Sequence, residues 1–118
     1  MGRTEIPAPI RMNSSIVKRL VEDELVRGET FSNFHGITPK NIRAFLAEPF
    51  SARIDPDDLE TMPRDMWVVL QECPTPTEGY VVVYDPHTED WCVAEHIGCG
   101  EYKLVISAPS LAKAIAGM

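Results

Sequence analysis

The sequence predicts an α+β fold, in which an antiparallel meander of three to four strands packs against two N-terminal helices and one short C-terminal helix. Apolar residues recur at helical spacing in the first half of the chain, whereas the second half consists of short β-rich runs separated by turn residues. Connections this short favour antiparallel neighbours. With 118 residues, of which 44% are hydrophobic, we expect residues 1–12 to form an N-terminal arm and residues 13–118 a single domain.

The first helix is predicted over "NSSIVKRLVEDELVRG", residues 13–28. Asn13, Ser14 and Ser15 can each cap its start, because their side chains accept from unpaired backbone N–H groups. Gly28 suits its end, where glycine adopts the left-handed conformation without strain. One apolar stripe follows the helical spacing and is made of Ile16, Val17, Leu20, Val21 and Leu25.

A second, shorter helix is predicted over "TPKNIRAFLAEP", residues 38–49. Thr38 is a natural N-cap and Pro39 a natural first residue, because its missing N–H would have no partner there. Pro49 ends the segment, since the residue before a proline avoids the helical region. The following "FSARI" is a candidate short strand.

The remaining runs predict the meander and the last helix. The strand candidates are "MWVVLQE", "YVVVY", "WCVAEHI" and "YKLVIS", and "PSLAKAIAGM" closes the chain as a helix with Ser110 near its cap. A hairpin turning at Pro86–Glu89 pairs Tyr84 with Trp91 and Val83 with Cys92. We expect its small Val, Cys and Ala face to pack beneath the helices, with His96 at the edge.

Charge is uneven along the chain, whose net charge is −7. Residues 60–118 hold nine acidic residues but three basic ones, namely Arg64, Lys103 and Lys113. This half repels a nucleic-acid backbone and attracts a basic surface, so no nucleic-acid partner is predicted. No apolar run approaches the roughly 18 residues that span a bilayer, and no signal peptide is evident, so the prediction is a cytoplasmic protein without a membrane partner.

The cysteines and histidines predict neither a metal site nor a cofactor. Cys92 and His96 lie on one face of their strand but roughly 13 Å apart, too far to share one zinc ion. The spacing from His87 to Cys99 matches no zinc pattern, and three cysteines fit reduced thiols. No catalytic motif is present, so no catalytic residue is assigned and an enzyme is the less favoured interpretation.

The stretch from Trp67 to the C-terminus resembles a known class of proteins. With its "WVVL" run, a strand ending in Tyr-Asp-Pro, a Trp-bearing strand and a final short helix, it is similar over residues 66–118 to small bacterial proteins of unknown function and to toxin-neutralising immunity proteins. The resemblance implies a non-enzymatic module that binds another protein. The acidic second half agrees with a basic, toxin-like partner.

The leading functional hypothesis is therefore an immunity or inhibitor protein that uses an acidic sheet face. The predicted partner-binding residues are Tyr84, Glu89, Asp90, Trp91, Glu95 and Glu101, with the aromatic residues as anchors and the acids as attractants. One alternative is a small enzyme with a cleft between sheet and helices, using His35, His87 or His96 as acid or base. Another is a structural subunit that forms a homodimer through a sheet edge.

Overall fold

A computed structural model describes residues 12–31, 36–56, 62–73, 79–98 and 101–118. Within them lie helix α1 (Ser14–Val26), a 3-10 helix (Ile42–Ala44) and helix α2 (Leu111–Ala116). The strands are β1 (Leu46–Asp55), β2 (Arg64–Gln71), β3 (Tyr80–Asp85), β4 (Asp90–Gly98) and β5 (Glu101–Ala108). Neither α-helix of this described part is long and apolar enough to cross a membrane.

The sheet is a closed barrel in the order β1-β2-β3-β4-β5, so the predicted open meander is wrong. Each consecutive pair is antiparallel, as predicted, but β1 also pairs with β5. Five strands that alternate in direction leave the first and last pointing the same way, and the closing pair is therefore parallel. Its register covers Ile54↔Tyr102 and Asp55↔Lys103, and we call this pairing the seam.

The predicted second helix is also wrong, because only Ile42–Ala44 is helical and β1 begins at Leu46. Thr38 and Asn41 form a reciprocal turn in which each side chain accepts from the other's backbone N–H, at 2.7 and 3.3 Å. The chain then leaves the turn for the sheet, where the Phe45 carbonyl accepts from the Gln71 N–H at 3.0 Å. Strand pairing thus overrides a local helix signal.

Proline is tolerated inside β1 for a specific reason. Pro49 lies between Leu46 and Phe50, where the register with β2 shifts. A proline lacks the N–H that a regular ladder requires, so a bulge is one of the few places where a strand accommodates it. The residue that was expected to stop a helix therefore sits at an irregularity of a strand.

The prediction for α1 is confirmed. The Asn13 side chain accepts from the Ile16 N–H at 2.9 Å, and Gly28 follows the helix with a φ of +69°. Val17 and Val21 are buried against the sheet. Of the predicted N-terminal arm, residues 1–11 lie outside the described residues, and Met12 packs against the core.

The short helix α2 is confirmed as well, and α1 helps to cap it. Ser110 accepts from the Lys113 N–H at 3.2 Å, as expected of an N-cap. Glu24 of α1 accepts from the Leu111 N–H at 2.8 Å. These bonds satisfy backbone donors that a short helix would otherwise leave unpaired, and they join α2 to α1.

Two apolar clusters lie on opposite faces of the sheet. The cluster inside the barrel draws on all five strands and contains Ile54, Met66, Val68, Val81, Val83, Cys92, Ala94 and Tyr102. The cluster beneath the helices contains Val82, Tyr84, Trp91 and Val93 together with residues of α1 and α2. The hairpin register is as predicted, but its faces are reversed, because the small Val, Cys and Ala face lines the barrel rather than the helix layer.

A bulge in β2 lets one apolar run serve both clusters. Val68 pairs with Val83 and Leu70 pairs with Val82, so Val69 between them has no partner in β3 and is the extra residue of the bulge. Val68 therefore faces the barrel interior, whereas Val69 and Leu70 belong to the cluster beneath the helices. Because the bulge turns the strand over, the consecutive apolar residues Val68, Val69 and Leu70 are all buried, although they do not all point into the same cluster.

An ion pair occupies the interior-facing position at the end of β3. Asp85 has the strand parity of Val81 and Val83 and is 1% exposed. Its Oδ2 accepts from Arg64 at 2.6 Å, and its Oδ1 accepts from the His87 backbone N–H at 2.9 Å. Both carboxylate oxygens are thus satisfied, which a buried charge requires.

Replacing Asp85 by Asn should destabilise the fold markedly. The change leaves Arg64 without its counter-ion beside the barrel interior, and breaking such a pair costs several kcal/mol, here about 2–3 because Arg64 is partly exposed. Urea unfolding would measure the loss. The control is Asp65→Asn, which removes the exposed partner of Arg53 and should cost less than about 1 kcal/mol. Equal losses would contradict the assignment.

A second test concerns the exposed fork between α1 and the 3-10 helix. Arg43 donates to both Glu22 oxygens, at 2.9 and 3.0 Å, and these hydrogen bonds lower the pKa of Glu22. A carboxyl with a depressed folded pKa adds stability above its unfolded pKa of about 4.3 and loses it as the pH falls through the folded value. NMR titration should show the Glu22 pKa rising toward its ordinary value in Arg43→Gln. An unchanged pKa of Glu22 would contradict the two hydrogen bonds from Arg43.

Candidate protein-binding surface

The two predicted aromatic anchors are not on the surface. Tyr84 is 5% and Trp91 4% exposed, and their ring centroids lie 4.9 Å apart within the cluster beneath the helices. Burial raises the pKa of Tyr84, and the nearby carboxylates of Glu89 and Asp85 add to the rise. The prediction that these rings contact a partner is therefore corrected: they are core residues, because their strand face is the one that the helices cover.

The four predicted acids lie at two separate places. Glu89 and Asp90 are at the turn between β3 and β4, where Glu89 has a φ of +61° and donates its N–H to the Asp85 carbonyl at 2.8 Å. Glu95 is five residues along β4, about 17 Å from Asp90 at the rise of a strand. Glu101 is the first residue of β5 and pairs with Gly98, so it lies at the same end of β4 as Glu95. The acids therefore do not form one face.

Glu95 and Glu101 are exposed on either side of an exposed apolar residue, Ile97. Ile97 is 52% exposed and lies where the register between β4 and β5 shifts, between the pairs His96↔Tyr102 and Gly98↔Glu101. Ile97 keeps the outward alternation of Glu95, with buried His96 between them, and it stands in solvent because it lies beyond the part of this face, Trp91 and Val93, that packs beneath the helices. We call Glu95, Ile97 and Glu101 the seam surface.

A cavity of about 220 Å³ opens beside this surface at the seam. Its lining consists of Arg53, Asp55, Pro63, Ile97, Glu101 and Tyr102. The walls come from β1, β4, β5 and the residue before β2, and they include one member of each seam pair, Asp55 and Tyr102, so the cavity lies where the barrel closes. Concave sites with an apolar wall and a few charged groups are the usual form of binding pockets.

The charges around the seam are predominantly negative. Arg53 pairs with Asp65 at 3.5 Å, and both side chains are well exposed. Lys103 lies opposite Glu95 in the ladder and opposite Asp55 across the seam. Among the described residues of this surface, two cations thus face four carboxylates, those of Asp55, Asp65, Glu95 and Glu101, so these residues together carry a net negative charge.

His96 supports the floor of the seam from inside the barrel. It is 9% exposed, and its ring meets Tyr102 edge-on with centroids 4.9 Å apart. The ring Nδ1 of His96 accepts from the Gly98 N–H at 3.1 Å, and the backbone N–H of His96 donates to the Gly79 carbonyl at 3.1 Å. Burial raises the pKa of the Tyr102 hydroxyl. The aromatic pair fixes the position of the hairpin end that carries Ile97.

Two of the histidines named in the enzyme hypothesis, His87 and His96, are not brought together. His87 is exposed in the turn after β3, whereas His96 lies inside the other end of β4. His35 lies outside the described residues. Within the described part of the chain no group of three His, Cys, Asp or Glu side chains is arranged to hold a metal ion.

A different cavity, of about 140 Å³, lies between α1 and α2. Its acidic residues are already used inside the protein. Glu24 accepts from the Leu111 N–H and pairs with Arg27 at 3.2 Å, while Glu29 accepts from the Ser110 hydroxyl at 3.3 Å. These carboxylates hold α2 in place, so the seam is the better candidate for contact with another molecule.

Sequence reasoning missed Ile97 and the seam cavity. The cavity joins two groups of residues, 53–63 and 97–102, that are at least 34 positions apart in the sequence, and no local pattern links Arg53 and Asp55 to Glu101. The signal for Ile97 was its position two residues after Glu95, on the same face of the strand and directly before a glycine. Comparisons of the chain with protein-family models, with curated proteins and with solved structures give no match.

Cys92 should be an unreactive thiol. It is 1% exposed and hydrogen-bonds with the Ser107 hydroxyl at 3.4 Å. Burial raises its pKa, and Asp85 and Asp90 add to the rise, so the reactive thiolate forms only at higher pH than usual. In variants that keep one cysteine, native Cys92 should react with iodoacetamide at least about tenfold more slowly than half-buried Cys73. Equal rates would contradict the burial of Cys92.

Proposed function

We propose that this protein is a non-enzymatic interaction module, of the immunity or inhibitor type, that binds a basic partner protein through the seam surface. The carrying observation is the exposed Ile97 flanked by the exposed carboxylates of Glu95 and Glu101, next to the seam cavity. Interfaces combine an apolar contact that supplies affinity with surrounding charges that supply attraction and specificity. The seam surface contains both.

The overall charge supports the same proposal. At a net charge of −7, the chain attracts a cationic protein over the range of the Debye length, about 8 Å at physiological salt. Away from the seam, carboxylates form ion pairs within the protein, in Glu22–Arg43, Glu48–Lys18 and Asp85–Arg64. The acids of the seam surface are thus placed to meet the cations of a partner.

Charge reversal at the seam surface should weaken the complex. A partner is first captured from an extract of the source organism and identified, and its affinity is then measured by isothermal titration calorimetry. The double variant Glu95→Lys and Glu101→Lys should lose at least about tenfold in affinity at physiological salt.

The matched control carries the same change of charge away from the seam. It combines Asp23→Lys on α1 with Glu89→Lys at the turn after β3, both of them exposed positions. This variant should lose less than about threefold. Equal losses in the two double variants, or an unchanged affinity in the first, would refute the seam surface as the binding site.

A further inference from the structure

Part of β1 has no neighbouring strand on the side that faces the seam. β1 has ten residues, but its pairing with β5 covers only Ile54 and Asp55. Near its other end, Glu48 accepts from two side chains of α1, at 3.4 and 3.2 Å, so the helix lies along that part of the strand. Between them, Phe50–Arg53 pairs with β2 alone within the described part of the chain. We call this segment the open edge.

The strand registers show where the backbone groups of the open edge point. The Glu72 N–H donates to the Tyr80 carbonyl at 3.0 Å, so Tyr80 bonds β2 rather than β4. The groups of successive residues alternate between the two neighbours of a strand, so Tyr84 also bonds β2, through Trp67. Trp67 therefore does not bond Ser51, which lies opposite it in β1. The N–H and C=O of Ser51 point to the seam side, where no described residue bonds them.

A side chain of the open edge lacks cover for the same reason. Phe50 lies opposite Val68 and has the strand parity of Ala52 and Ile54, which pack with the cluster inside the barrel. It is nevertheless 39% exposed, because no strand lies beside it on the seam side. An added strand would cover Phe50 and bond the backbone of Ser51 at the same time.

The features that usually protect an exposed strand edge lie outside the middle of this segment. Pro49 and the bulge precede it. Arg53 ends it, but its guanidinium is directed to Asp65 of β2, with Nε 3.5 Å from Oδ1. Ser51 is exposed and uncharged. A stretch of four residues, about 13 Å long, therefore remains open to an extended chain.

We propose that an extended segment of the basic partner adds as a strand to the open edge at Ser51. The inference rests on the proposed function and names how the partner is held. The open edge adjoins the seam surface, because Arg53 lines the same cavity as Ile97 and Glu101. A segment of alternating apolar and basic residues places its apolar side chains over Phe50 and its cations on the outer face, toward the acids of the seam surface. A second copy is a poorer occupant, because two chains of net charge −7 repel each other.

The first test is amide hydrogen exchange of the full ¹⁵N-labelled chain. In the free protein the Ser51 amide should exchange within about tenfold of the rate of an unstructured peptide, whereas the Ala52 amide, which bonds β2, should be protected at least about a hundredfold. A protected Ser51 amide would mean that another segment of the chain or a second copy already occupies the edge. Sedimentation velocity separates these two cases, and either one overturns the proposal.

The second test titrates the capped peptide Ac-Lys-Val-Lys-Val-Lys-NH2 into the same chain at low salt. It should cause saturable shifts of the Phe50 and Ser51 amides and slow the exchange of Ser51. The matched control carries methyl groups on the amide nitrogens of its second and third residues, which keeps charge and side chains but removes a donor toward β1 in either orientation. It should bind at least about threefold more weakly. Equal affinities, or no saturable shift up to about 20 mM peptide, would overturn the proposal.

A pair of variants tests the same hydrogen bond from the side of the protein. Ser51→Pro removes the N–H on the seam side and should weaken the unmethylated peptide at least about threefold, whereas Ser51→Ala keeps that N–H and should leave the affinity unchanged. Equal effects would contradict the added strand. If the amide spectrum shows that Ser51→Pro does not fold, the exchange rates and the methylated peptide decide the question.

Failure here is distinguishable from failure of the proposed function. If reversal of Glu95 and Glu101 weakens partner binding while Ser51→Pro does not, the seam surface is the binding site and the added strand is wrong. If Ser51→Pro weakens partner binding while the reversal does not, the strand is supported and the acids are not. If neither change weakens it, both proposals are wrong.

Discussion

The fold depends on one constraint: the central hairpin is apolar on both faces. Val81, Val83, Cys92 and Ala94 point one way, and Val82, Tyr84, Trp91 and Val93 point the other. A flat sheet beneath one helix layer would bury one set and leave the other in water. Each fully buried side chain of this size gains about 1.5–3 kcal/mol, so both faces must be covered. Curling the sheet into a barrel covers one face, and α1 with α2 covers the other.

Closure leaves the shortest strand pairing of the barrel at the seam. Five alternating strands can close only through a parallel pair, and the stagger of the barrel limits that pair to Ile54↔Tyr102 and Asp55↔Lys103. The junction therefore carries the cavity and the exposed Ile97. A feature forced by strand number thus supplies the surface for which we propose a function.

Polar groups secure the places where the interior cluster ends. Asp85 and Arg64 meet at one position, with the carboxylate also holding the turn that begins at Pro86. His96 and Tyr102 meet at another, with the imidazole holding the N–H of Gly98. The carboxylate oxygens of Asp85 and the Nδ1 of His96 each have a donor, whereas the buried Nε of Arg64 has no partner among the described residues. Each pair fixes a hairpin end, and the second positions Ile97 beside Glu101.

The sequence by itself determined the elements whose signals are local: α1 with its Asn13 cap, the register of β3 with β4, and α2 after Ser110. It also named Glu95 and Glu101 as candidate partner-binding residues, though not as neighbours of Ile97. Only the tertiary structure decided that the strand predicted over residues 50–54 begins already at Leu46, that the sheet closes, and that Tyr84 and Trp91 face the helices. Alternation along a strand shows which residues share a face, but which face becomes the interior depends on partners distant in sequence.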